Sequence, residues 1–236
     1  MRGVRAHRAD RGAALSPPGL RVLLIGGSSH AGKSSLARRI AERLGGETIS
    51  TDSLARHPGR PWRRPPHEVP LHVVEHYRDL SPEALLASVL AHYRAMWPLA
   101  EDVIRARLQA AAAVPLVLEG SALWPPLAAA LPWPGVRALW LTADPALFRG
   151  RIEAESGYAA ASPSVRALVE KFIARTLLYD RAMRAELARL GLGGLEVGAA
   201  DDLERLADVG LQRAVALGVT RSAPADRAPS SRPRRA

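Results

Sequence analysis

Residues 27–34 read Gly-Ser-Ser-His-Ala-Gly-Lys-Ser and match the pattern G-x-x-x-x-G-K-[ST]. The apolar run Val22-Leu23-Leu24-Ile25 precedes them, and a helix-like segment, 34–44, follows. In that segment Leu36, Ile40 and Leu44 recur at helical spacing, Arg38, Arg39, Glu42 and Arg43 turn outward, and Gly45-Gly46 ends the pattern. A strand, a glycine loop and a helix in this order make a site for a polyphosphate. Glycines let backbone N–H groups turn inward around phosphate oxygens, and the helix N-terminus adds partial positive charge. The candidate phosphate-binding residues are Gly27, Ser28, Ser29, His30, Ala31, Gly32, Lys33, Ser34 and Ser35. Lys33 is placed to reach the β- and γ-phosphates of a nucleoside triphosphate, and the Ser34 hydroxyl to bind Mg²⁺. Only two lysines occur in the chain, Lys33 and Lys171. Where arginine is otherwise the rule, a lysine in this loop points to a need for a compact ammonium, which a guanidinium fork would not fit.

The rest of the chain alternates strand and helix. Further strands are expected at 47–51, 114–118, 136–141 and 195–197, with helices between and after them. Ser81-Pro82, Asp144-Pro145 and Ser162-Pro163 are helix-starting pairs, and Pro98 is expected to kink the long helix that follows the first of them. This alternation predicts an α/β domain with a five-stranded parallel sheet. In such sheets ligands gather at the carboxyl ends of the strands. Two carboxylates are expected there, Asp52 after the second strand and Glu119 after the third. Beyond Asp52 lies a proline-punctuated loop carrying Arg56, Arg60, Arg63 and Arg64. His72 and His76 stand one helical turn apart without a third histidine at ligand spacing, so packed or solvated histidines are expected there.

The net charge of +10 suggests nucleic acid until it is located. Residues 1–19 carry +3 and residues 219–236 carry +4, leaving +3 for the body of the chain. Both ends are rich in Arg, Ala, Ser and Pro with little to bury, and are expected to be disordered tails around a domain spanning 20–218. Nucleic acid is therefore not the expected partner. There is no cysteine, which excludes disulfides and Cys-ligated zinc. The apolar stretch 122–136 is broken by Pro125, Pro126, Pro132 and Pro134 and is too short to cross a bilayer. No secretory signal is recognisable, and a cytoplasmic protein without membrane contact is expected.

Over residues 21–217 the chain resembles the small P-loop kinases of the nucleoside-monophosphate-kinase-like group. Ile25-Gly26-Gly27-Ser28-Ser29 with Gly32-Lys33-Ser34 is similar to the phosphate loops of chloramphenicol phosphotransferase-like and 2-phosphoglycerate kinase-like proteins. Thr51-Asp52-Ser53-Leu54 resembles the Asp-Ser segment of uridine kinase-like enzymes, which implies Asp52 as the base facing an acceptor hydroxyl. Leu118-Glu119-Gly120-Ser121 resembles their Glu-Gly step, which implies Glu119 as a partner of Ser34 in holding Mg²⁺. The resemblance also implies a helical acceptor-binding insertion, and a lid over about 149–175 whose arginines close on the transferring phosphoryl group. Arg149 and Arg151 precede the small-residue stretch 157–164, and Arg166, Lys171 and Arg175 follow it. Of these, Arg149 and Arg175 are the favoured catalytic pair beside Lys33 and Asp52. An adenine-binding turn is expected near 198–202.

The expectation is an ATP- and Mg²⁺-dependent phosphotransferase acting on a hydroxyl of a small metabolite. The arginines at 56, 60, 63 and 64, with Asp52, are expected to bind that metabolite. Guanidinium groups favour carboxylate or phosphate partners, so it is expected to be anionic. The rival expectations are a P-loop switch without an acceptor, against which Asp52 speaks, and a nucleic-acid or nucleotide kinase.

Overall fold

Six uncharged residues, Val22–Gly27, form strand β1, and all six are buried. The computed structural model of the chain describes residues 19–55, 58–63, 67–111 and 114–219. The expected basic tails, apart from Gly19 and Val219, lie outside these residues, as do Arg56 and Arg64.

β1 is central because it is apolar on both faces. It pairs in parallel with β3 (Leu116–Glu119) on one side and β4 (Val136–Ala143) on the other. β2 (Glu47–Ser50) and β5 (Gly194–Val197) complete a parallel sheet of order β2-β3-β1-β4-β5. Side chains alternate across it, as the pleat requires. Leu23 and Ile25 pack with Leu36, Ile40, Phe148 and Ala207 on one face. Val22 and Leu24 pack with Ile104, Trp140, Tyr179 and Met183 on the other. The first face carries helices α1 (Lys33–Leu44), α5 (Pro145–Ser156) and α7 (Leu203–Val219). The second is covered by α3 (Pro82–Gln109), α4 (Pro125–Ala129) and the latter part of α6 (Pro163–Arg189). This is the α/β P-loop NTPase fold, with α2 (Leu71–Asp79) and α3 inserted between β2 and β3.

The register places the chemistry. Ser50, Glu119 and Ile25 lie side by side across β2, β3 and β1, so three strands deliver their next residues to one edge of the sheet. The partners of β1 leave in different directions there, opening a crevice beside the glycine loop.

Each expected helix start is realised as a side-chain cap. Ser81 accepts from the Ala84 N–H at 3.2 Å, Asp144 from Ala146 at 2.7 Å and Ser162 from Val165 at 3.4 Å. α3 runs through Pro98 to Gln109 as one element. Trp97, Ala100 and Ile104 are buried on either side of the proline, and that packing outweighs one lost backbone hydrogen bond. Two helices were not apparent from periodicity, α2 and α4. α4 begins at Pro125, so the prolines that read as breakers occupy a first turn, where no N–H is needed. Lys171, the second lysine, donates to the carbonyls of Arg78 at 2.6 Å and Leu80 at 3.0 Å, and so caps the C-terminal end of α2. Among the described residues no helix is long and apolar enough to cross a membrane.

Gly26 shows how tightly β1 is enclosed. The Trp140 indole passes over it and donates to the Leu123 carbonyl at 2.8 Å. A Cβ on Gly26 would lie 2.4 Å from Trp140 Cδ1 and 2.8 Å from the Leu123 oxygen. Gly26→Ala should therefore cost about 1–3 kcal/mol through forced displacement of the indole. Thermal denaturation without ligand should show Tm lowered by several degrees; an unchanged Tm would mean that the indole moves freely.

Candidate active site

The chain leaves β1 through Gly27, at φ 142°, and enters α1 through Gly32, at φ 95°. These are glycine conformations, and they curl the loop around its own backbone. Lys33 folds back and donates from Nζ to the Ser28 carbonyl at 2.8 Å. Its ammonium is buried, which lowers its pKa, while Glu119 and Asp52 pull it upward and Arg60 lowers it further. Ser28 is buried and donates from Oγ to the Thr176 carbonyl at 3.0 Å, fastening the loop to α6. Residues 29–36 line a cavity of about 760 Å³ that also takes in Asp52, Arg60, Glu119, Ser121 and Arg151. Gly27 and Ser28 lie behind this lining and shape it. At the far end the cavity meets Val197, Gly198, Asp201, Leu203 and Leu206. Asp201 Oδ2 accepts from the Gly198 N–H at 2.7 Å and holds that turn in the region expected for the adenine.

The two carboxylates reach the cavity differently. Glu119 ends β3, is buried, and accepts from the Ser34 hydroxyl at 3.0 Å. Gly120 makes room beside it: its φ is 150°, and a Cβ there would lie 1.8 Å from Thr51 Oγ1. A hydroxyl and a carboxylate held together at a phosphate loop suit Mg²⁺, which keeps much of its water and takes phosphate oxygens. Among the described residues no group of three or more His, Cys, Asp or Glu side chains could hold a metal. A Mg²⁺ at Ser34 and Glu119 would complete its shell with phosphate and water. Asp52 stands on a 3₁₀ turn, Thr51–Ser53, which follows β2 directly. Ser50 Oγ accepts from the Asp52 N–H at 3.4 Å, and Ser53 Oγ donates to the Ser50 carbonyl at 2.6 Å. Ser50 and Ser53 thus fix the backbone of the turn, and Asp52 is exposed, in no ion pair among the described residues.

A second cavity, of about 380 Å³, adjoins the first. Its wall includes Thr51, Asp52, Arg60, Arg63, Tyr93, Met96, Phe172 and Arg175. Ser29, Asp52, Arg60 and Ser121 line both cavities and so form the passage between them. Burial pushes the Tyr93 phenol up to about 12, and it remains a neutral hydrogen-bonding group. Arg56 and Arg64 lie outside the described residues.

The arginines around 149–175 divide by helix face. Arg149 lines neither cavity; it binds Glu153 at 3.0 Å and grips Glu170 with both terminal nitrogens at 2.9 and 3.0 Å, joining α5 to α6. Arg151 lies two residues on, about 200° around the helix. It faces the nucleotide-sized cavity and donates to the His30 carbonyl at 2.8 Å. Arg166 donates to the carbonyls of Tyr158 and Ala159 and shapes the turn before α6. Arg175 lines the second cavity, not the first.

His30 ties these parts together. It has φ 65°, the one positive φ outside glycine among the described residues. Its ring lies 6.1 Å from that of Trp62 and 5.8 Å from that of Phe172. Nε2 is 2.9 Å from Glu155 Oε2, and the other oxygen of Glu155 pairs with Arg60. One carboxylate on α5 thereby clamps the phosphate loop to the loop beyond Asp52. Glu155 did not stand out in the sequence, and Arg151 was named with the lid arginines but Arg149 was preferred to it, because the choice depends on which face of α5 meets the loop.

No family model matches the chain, and no curated protein matches it by sequence. Solved structures are similar to it. A gluconokinase from Sinorhizobium meliloti 1021 is 21% identical, with 85% of this chain and 97% of that one covered and a TM-score of 0.43. A deoxyadenosine kinase from M. mycoides with bound dATP is 12% identical over 81% of this chain and 98% of that one, TM-score 0.46. A shikimate kinase from Bacteroides thetaiotaomicron is 16% identical over 84% and 97%, TM-score 0.39. The likeness is one of fold.

The His30 clamp carries a pH signature. Its pKa is pushed down from 6.5 to about 4, first by burial and then by Arg60, against the pull of Glu155. The folded chain thus holds a neutral imidazole where the unfolded chain takes up a proton near 6.5. Stability from this group is full above the unfolded pKa and is lost as pH falls toward the folded one, because the unfolded state binds more protons. Over that window Tm of the native chain should fall more steeply than Tm of His30→Gln, which keeps a hydrogen-bond donor but does not titrate. Parallel Tm curves for the two proteins would assign the acid sensitivity elsewhere.

Proposed function

We propose that the chain is an ATP- and Mg²⁺-dependent kinase that transfers the γ-phosphate to a hydroxyl of a small, anionic metabolite. One observation carries this: Asp52 stands in the passage between a cavity built on a phosphate loop and a second, smaller cavity. A switch that only hydrolyses nucleotide has no need of the second cavity or of a carboxylate between the two.

In this scheme the triphosphate lies along residues 29–35, with backbone N–H groups and Lys33 on its oxygens. Lys33 would exchange the Ser28 carbonyl for the β- and γ-phosphates, gaining a charge-assisted bond. The base would rest against Val197, Leu203 and Leu206. Ser34 and Glu119 would hold Mg²⁺, directly or through water, and the ion would neutralise charge on the β- and γ-phosphates. The acceptor occupies the second cavity, with its hydroxyl against Asp52. The hydroxyl proton passes to the Asp52 carboxylate as the oxygen bonds to the γ-phosphorus. The bond between that phosphorus and the bridging oxygen breaks, and ADP leaves. Arg151 and Arg60 flank this line and supply positive charge, which with positioning is most of what phosphoryl transfer asks of a protein. Arg60 and Arg63 at the second cavity, and Arg56 and Arg64 beyond the described residues, favour an acceptor that carries negative charge.

A metabolite library screened for ADP release, with Lys33→Ala as the blank, tests the activity directly. Against the acceptor so found, Asp52→Asn should retain ATP affinity while transfer falls by a factor on the order of 10² to 10⁴. Transfer at the native rate would remove Asp52 as the base. Glu119→Gln should raise the Mg²⁺ concentration needed for half-maximal rate, and an unmoved Mg²⁺ curve would remove Glu119 from the metal site. ATP turnover that no metabolite stimulates would favour the switch instead.

A further inference from the structure

Arg175 is the least expected side chain in the second cavity. It is 7% exposed, yet it lies in no ion pair among the described residues, and its buried Nε has no hydrogen-bond partner. An arginine stays charged at every accessible pH, and a buried charge without a partner is costly. The one carboxylate among the described residues that lines the same cavity, Asp52, forms no ion pair with it. The titratable groups that feel Arg175 include Tyr77, Tyr93, Tyr179 and His76, and none of these is a carboxylate. The nearby buried acid on the same helix, Asp180, is held by Arg184 at 2.7 Å. The guanidinium is nonetheless held in place, with Cζ 4.4 Å from the centre of the Phe172 ring. Phe172 is in turn braced edge-on by Trp62 at 4.7 Å. A guanidinium held over the face of an aromatic ring spends no N–H on that contact and keeps N–H groups available for a planar or tetrahedral anion.

We propose that Arg175 is the floor of an anion subsite in the acceptor cavity, built for one compact carboxylate or phosphate group of the acceptor. This rests on the kinase assignment above and sharpens it. The acceptor is held at two points, its anionic group on Arg175 and its hydroxyl on Asp52, so it is a small hydroxy acid or a phosphorylated polyol. The exposed Arg60 and Arg63 lie nearer the rim, and Arg60 is already engaged by Glu155. Arg175 is therefore a specificity residue for the acceptor and not one of the cations over the transferring phosphoryl group.

The subsite is tested without turnover. The full chain is saturated with Mg²⁺ and β,γ-methylene-ATP, which fills the phosphate loop and cannot transfer, and binding of the analogue is checked first by calorimetry. The Nε–H resonance of Arg175, identified by its loss in Arg175→Lys, is then followed by ¹⁵N NMR during titration with acetate, methyl phosphate or glycerol. A saturable shift with acetate or methyl phosphate and none with glycerol is expected, and the anion that responds tells carboxylate from phosphate ester. No saturable shift with either anion, while the analogue is bound, overturns the subsite. A second measurement covers the same point: analogue-loaded Arg175→Lys and Arg175→Met should lose the rise in Tm that the responding anion gives the native chain. An equal rise in both variants would also overturn it. Failure of the analogue to bind at all would instead strike at the kinase assignment.

Discussion

Burial of β1 on both faces and both edges is the constraint from which the site follows. A strand enclosed by β3, β4 and two helical layers cannot shift register without exposing its apolar residues, so the glycine loop that leaves it starts from a fixed point. Gly26 and Trp140 show the tolerance of that enclosure: the indole closes over the strand because the residue beneath it has no side chain. β2, at the edge, is more exposed, and the turn that presents Asp52 is held by local hydrogen bonds of Ser50 and Ser53 together with the buried Thr51 against Gly120.

Charge is distributed around the crevice by partner. Lys33 is buried against the loop's own carbonyl and feels two carboxylates. Arg149 is committed to Glu153 and Glu170 and is neutralised within the chain, while Arg60 shares the single carboxylate of Glu155 with His30. Arg175 stands apart from them, buried and stacked but unpaired among the described residues. Glu119, in turn, meets the Ser34 hydroxyl rather than a cation. Arg149 ties two helices together away from both cavities, whereas Arg60 ties elements together and lines both cavities as well.

His30 joins the two cavities mechanically. A histidine at a positive φ gives up some backbone comfort that a glycine would keep. Its ring sits beside those of Trp62 and Phe172, and it shares Glu155 with Arg60. The glycine loop, the loop beyond Asp52, α5 and α6 therefore meet at one side chain. Any rearrangement that moves α5 must also act on the glycine loop.

Much of this was legible in the sequence, where the signal was local. The run Val22–Ile25, the spacing of the loop and the caps at Ser81, Asp144 and Ser162 depend on neighbours within a few residues, and the elements formed where those residues stand. Alternation of strand and helix determined a parallel α/β sheet, and with it the placing of Asp52 and Glu119 at strand ends. Pro125 misled, because it begins a helix instead of breaking one, whereas the long helix continues past Pro98 with Trp97 and Ile104 buried on either side. Which arginine meets which cavity was decided only by tertiary structure. Arg149 and Arg151 are nearly interchangeable as sequence, yet a rotation of about 200° sends one to Glu170 and the other to the phosphate loop. The state of Arg175 was equally beyond a local pattern, since its burial against Phe172 and its lack of an anionic partner among the described residues depend on residues from α3, α6 and the loop beyond Asp52. Backbone conformation is set over a few residues; the company a charged side chain keeps is set by elements far apart in the chain.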